Sequence, residues 1–146
     1  MIYWKRRPMG EFRLFAQTLS ALALTRLALN CAPLTVVRRR LWSTLRAGRP
    51  LPPGCRLPMT RILRCTAAAA KLMPVGATCL AQALVIQALL QRHGYSTQLK
   101  IGVRRPQSGP FAAHAWLEHE GATVVGGPEA VTLQYQPLPE VEQLIS

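Results

Sequence analysis

The chain has 146 residues, 49% of them hydrophobic and 16% charged, which suits one packed core and excludes a disordered or low-complexity polypeptide. Four cysteines at 31, 55, 65 and 79 show no C-x2-C spacing, which argues against a zinc site and a dense disulfide framework and fits a reducing cytoplasm. Formal net charge is +12, and all of it lies in front: residues 1–64 hold thirteen Lys/Arg against Glu11, whereas residues 65–146 hold five Lys/Arg against five Glu.

So lopsided a field suits an acidic partner: a peptide, a protein surface or anionic lipid. Nucleic acid is disfavoured, because no basic motif interleaved with aromatics occurs in the neutral half. The start Met1-Ile2-Tyr3-Trp4-Lys5-Arg6-Arg7-Pro8 is basic, but Pro8, Glu11 and Arg13 interrupt the apolar run a secretory signal needs.

In chain order, residues 11–31 read as a first helix, with Phe12, Phe15, Leu19, Leu22 and Leu29 near helical spacing and Leu14, Leu24 and Leu27 widening the stripe. From Leu14 to Val37 the chain is apolar enough to raise a membrane span. Arg26 in the middle of that run, with Gln17, Asn30 and Pro33, opposes it, since a central arginine costs at least about 2.5 kcal/mol on insertion. Packing on the next helix, or peripheral contact with a membrane, suits it better. Residues 34–45 form that second helix and carry Arg38-Arg39-Arg40 ahead of Trp42. Gly48-Arg49-Pro50-Leu51-Pro52-Pro53-Gly54 cannot continue a helix. A boundary there divides the chain into a basic helical arm, 1–50, and a core, 51–146.

Residues 58–73 make a third helix, opened by Pro58, filled by Ala67–Ala70 and ended by Pro74. A turn through Gly76 then leads to Thr78, a good N-cap, and fifteen residues run without Gly or Pro until Gly94. Cys79 is thereby expected in the first turn of a fourth helix, and Gly94 at its C′ position. Residues 97–104 and 111–119 alternate as strands, and Glu120-Gly121 is a tight turn into 122–125. On the second strand Ala112, His114, Trp116 and Glu118 share one face. Helices followed by a small antiparallel sheet packed on the cysteine helix make an α+β fold.

A cysteine taken alone is more often a small buried hydrophobe. A helix N-terminus, however, favours an anion, and a histidine on a following strand supplies a base. Cys79 and His114 together are the layout of a Cys–His nucleophile pair. His93, at a helix end, and His119, on the opposite strand face, read as surface residues. Small alanines beside His114 would leave room for an extended substrate.

Four blocks in order, Cys79-Leu80-Ala81-Gln82-Ala83-Leu84, Leu90 with Gly94, Ile101-Gly102-Val103-Arg104 and His114-Ala115-Trp116-Leu117-Glu118, resemble the C-terminal domain of lasso-peptide leader peptidases. These are transglutaminase-like cysteine proteases, similar to the microcin-processing protease, and the resemblance covers residues 60 to 140. It implies a papain-like Cys–His–acid site, without cofactor or metal, that removes the leader from a ribosomally made precursor. It also implies two cytoplasmic partners: a small leader-binding protein that presents the substrate, and an ATP-dependent cyclase that closes the lasso ring.

The third residue of such a site is commonly an aspartate, and this chain has none. A two-residue turn at 120–121 would set His114 opposite Gly127, with Glu129 diagonally beyond at about 7–8 Å. Glu118 shares the His114 face but lies about 13 Å along the strand. Glu129 is thus the expected orienting acid, with a backbone carbonyl or a water as alternatives. The leading expectation is a leader-removing cysteine endopeptidase working by acyl transfer through Cys79, His114 and Glu129. Its rival is an inactive basic adaptor that kept the fold and binds a peptide, a partner protein or an anionic surface.

Overall fold

The computed structural model describes residues 8–73, 78–105, 110–127 and 134–138. Four helices precede the sheet: α1 (Pro8–Cys31), α2 (Leu34–Thr44), α3 (Met59–Lys71) and α4 (Cys79–Arg92). The strands are β1 (Gln98–Arg104), β2 (Ala112–His119), β3 (Ala122–Val125) and the short β4 (Gln136–Pro137), in the order β3-β2-β1-β4. β1 pairs antiparallel with β2 and with β4, and β2 pairs antiparallel with β3. The α+β architecture read from the sequence is therefore the observed one, with β4 and a 3-10 turn at Pro53–Cys55 as unforeseen additions.

Helix α4 is the centre of the molecule. It packs on α1, α2 and α3 and also against β1 and β2, so Ala81 and Ala83 through Leu90 are all buried. That enclosure takes in Gln87 too. Its Nε2 donates to Thr97 O at 3.2 Å, a way of satisfying a polar group that burial would otherwise penalise. Leu14 and Leu22 of α1, and Leu41 of α2, belong to the same apolar cluster as Leu84, Leu90, Leu99, Ala115 and Leu117. The front helices thus contribute to one core shared with the sheet.

Both ends of α4 are punctuated as the sequence suggests. Thr78 is extended, and its side chain accepts from Ala81 N at 3.3 Å, the bond expected of an N-cap threonine. At the other end Gly94 has φ +85°. Tyr95 N donates to Leu90 O and Gly94 N to Gln91 O, the two bonds of a Schellman motif that needs a left-handed residue at C′.

That C-terminal end is also where the proline-rich segment docks. Leu51 N donates to Arg92 O at 2.8 Å, and Arg92 reaches Arg49 O. His93 accepts from Leu57 N through Nδ1 at 3.0 Å, while Tyr95 Oη donates to Leu57 O at 3.1 Å. His93 is 7% exposed, not a surface residue as its position suggests, because residues 49–57 fold back over the helix end. Burial, and next the charge of Arg92, lowers its pKa. His119 is likewise half-buried, bonded to Ser96 O at 2.6 Å and edge-on to Tyr95.

Candidate active site

Cys79 is the first residue of α4, half-buried and packed on the central cluster. Thr78 uses its side chain on Ala81 N, so the N–H groups of Cys79 and Leu80 remain as first-turn donors without an intrahelical acceptor. These donors and the helix dipole together suit negative charge, on the sulfur or on an oxygen bound beside it.

His114 lies on β2 opposite Gly102 of β1. The pleat turns its neighbours Ala115 and Leu117 into the core with α4, and carries His114, Trp116 and Glu118 on the other face. The shared face is evident in the contacts: the His114 and Trp116 rings stack at 6.1 Å, and Trp116 Nε1 donates to Glu118 Oε1 at 2.9 Å. Glu118 also pairs with Lys100 at 3.7 Å. It is committed to Trp116 and Lys100, leaving His114 to another partner.

That partner is a backbone oxygen. His114 Nε2 lies 2.5 Å from Gly126 O, and because a carbonyl only accepts, Nε2 carries the proton. Nδ1 is then the nitrogen left for other work. A carbonyl was one of the alternatives the sequence left open, and the register explains how it gets there. Glu118 pairs with Thr123 and His119 with Ala122, as a two-residue turn requires, but Leu117 pairs with Val125. The bulge between Leu117 and Glu118 shifts the remaining pairing by one residue, so His114 does not sit squarely opposite Gly127. Gly126, at φ +109°, is brought against Trp116 and presents its carbonyl to the imidazole. Glu129, the acid expected from the sequence, lies outside the described residues.

Aromatic rings enclose the imidazole. Tyr135 lies 5.1 Å from the His114 ring, and Arg104 stands 5.3 Å from the Tyr135 ring while donating to Gln134 Oε1 at 2.7 Å. Trp116 is 2% exposed. A Cβ on Gly102 would stand 2.9 Å from both the Trp116 ring and Tyr135 Cβ, so that glycine is what admits the two rings beside the histidine. Space on this face is therefore filled by aromatics. Of the alanines around His114, Ala112 shares its face, whereas Ala113 and Ala115 belong to the other.

Cys79 opens α4, and His114 lies on β2, a strand that packs against that helix. Among the described residues no hydrogen bond joins them: Cys79 packs against the core cluster, and the His114 ring stacks with Trp116.

Residues 12–140 match the model of the transglutaminase-like superfamily. The chain belongs to that superfamily. Its members are commonly cysteine proteases, which makes thiol-dependent acyl transfer the chemistry to expect of a helix-capping cysteine and a strand histidine. No curated protein and no solved structure gives a significant match. Among the described residues no group of His, Cys, Asp and Glu could hold a metal ion.

Proposed function

We propose that this transglutaminase-like protein is a cysteine endopeptidase that removes the leader from a lasso-type precursor peptide, with Cys79 as nucleophile and His114 as its acid–base partner. The observation that supports the reading is the capped first turn of α4, which begins at Cys79 in a chain of the transglutaminase-like superfamily. The thiolate attacks the scissile carbonyl while Nδ1 of His114, protonated in the paired state, delivers a proton to the departing amine. The thioester that results is hydrolysed by water, deprotonated by the same nitrogen, which restores the thiol. The oxyanion is held by the N–H groups of Cys79 and Leu80, which have no acceptor within the helix. Gly126 O keeps Nε2 protonated throughout, the orienting part an acid side chain would otherwise play.

In this reading the leader and a small leader-binding protein meet the basic front half, and an ATP-dependent cyclase takes over the released core peptide in the cytoplasm. The catalytic half is neutral, so attraction for an acidic leader has to come from residues 1–64. A second reading, a non-cutting adaptor for such a peptide, draws on the lack of a direct Cys79–His114 hydrogen bond among the described residues.

A precursor-derived peptide carrying a thiol-reactive electrophile at the cleavage position separates the two. Cys31 and Cys55 are exposed, whereas Cys79 is half-buried, so exposure alone favours the wrong cysteines. A single adduct on Cys79, lost in His114→Ala, is the outcome expected of the protease. Labelling of Cys31 and Cys55 ahead of Cys79 contradicts it.

A further inference from the structure

Helix α1 has an outward face that its fold leaves uncovered. Leu14, Thr18, Ala21, Leu22 and Thr25 turn into the protein. On the other side Phe12 is 74%, Leu24 65% and Leu27 64% exposed. At 100° per residue these three fall within about one-third of the helix circumference, together with Ala16, Ser20 and Ala23. Arg13 is the one charged residue in that arc. An ordinary surface helix carries its charges there. The segment Gly10–Cys31 is long and apolar enough to cross a membrane by composition, and 28% of its most apolar window is buried in the protein.

Charge brackets this face in sequence. Lys5-Arg6-Arg7 precede α1, with Tyr3 and Trp4 just ahead of them, and Arg38-Arg39-Arg40 follow on α2. Apolar side chains flanked by basic clusters and interfacial aromatics have the chemistry of a bilayer surface rich in anionic headgroups. We propose that the outer face of α1 lies on such a surface, holding the protein peripherally with the α4–sheet layer toward the water. A full span is ruled out by the buried face: Leu22 is fully buried against the protein, and Arg26 lies within the helix. An acidic globular partner would meet the cations but would leave Phe12, Leu24 and Leu27 without an apolar counterpart.

Co-sedimentation of the full chain with vesicles tests this independently of any peptidase activity. Phosphatidylcholine vesicles containing about one-third phosphatidylglycerol should bind the protein, and pure phosphatidylcholine should bind it much less. Binding should fall as salt rises. Leu24→Glu with Leu27→Glu should lower binding roughly tenfold or more, with an unchanged circular dichroism spectrum as the folding control. Arg39→Glu with Arg40→Glu, both at exposed positions, should weaken it and flatten the salt dependence. The proposal is overturned by equal binding to both vesicle types or by none at all. It is overturned equally by wild-type affinity in the leucine variant, or by that variant instead dissolving a dimer seen in light scattering.

Discussion

The imidazole of His114 donates from Nε2 to the carbonyl oxygen of Gly126 at 2.5 Å. The bond crosses from β2 to the residue just past β3 and fixes which nitrogen carries the proton. Aspartate is missing from this chain, and the acceptor of this bond is a main-chain oxygen, which contributes no negative charge. Such a carbonyl can hold a tautomer and a ring direction. It stabilises an imidazolium less than a carboxylate would.

Replacing Gly126 tests that bond. A Cβ there would lie 2.9 Å from Trp116 Cα and 3.0 Å from Ala115 O, at a φ of +109° that side chains rarely adopt. Gly126→Ala is expected to cost about 1–3 kcal/mol of stability and to lower kcat by roughly tenfold or more as the carbonyl moves off the ring. Gly121→Ala is the matched control: φ is +80°, but nothing lies within 4 Å of the added carbon. Strain of about 1–2 kcal/mol without loss of kcat is expected there. Denaturant unfolding and steady-state kinetics on both variants make the comparison.

Glu129→Gln separates a carbonyl from a carboxylate as the orienting group. Because Nε2 already has an acceptor in Gly126, this variant is expected to keep kcat within a few-fold of wild type. A loss of the order of 10⁴, as when a triad acid is removed, would transfer the orienting role to Glu129.

His93 predicts a pH dependence of stability. Burial lowers its pKa below the ordinary 6.5, and Arg92 adds to the effect. The folded state therefore binds its proton less readily than the unfolded chain. Stability is fully present above about pH 6.5 and declines as pH falls below it, until the folded-state pKa is reached. Protonation also removes the lone pair that accepts from Leu57 N. His93→Gln should flatten the pH dependence of the urea midpoint between about pH 5 and 7, and an unchanged slope would refute the assignment.

Much of this architecture is legible from local signals. Thr78 and Gly94 mark the ends of α4 because capping is decided within one turn of chain. Glu120 and Gly121, both at positive φ, form the hairpin their residue types suggest. Missed features depend on what the rest of the chain brings up. The bulge at Leu117/Glu118 moves the partner of His114 by one residue, and its only local trace is the Gly126-Gly127 pair closing the strand. Gln87 and His93 are buried because the sheet covers α4 on one side and residues 49–57 fold over its end. Periodicity reports one apolar stripe and is silent about a helix enclosed on every side.

The direct test of the account is release of core peptide from a precursor by the purified protein together with its leader-binding partner. Wild type is predicted to cut at one position, Cys79→Ala to give no product, and His114→Ala to fall by several orders of magnitude. Cleavage by Cys79→Ala at the wild-type rate would contradict the account at its centre.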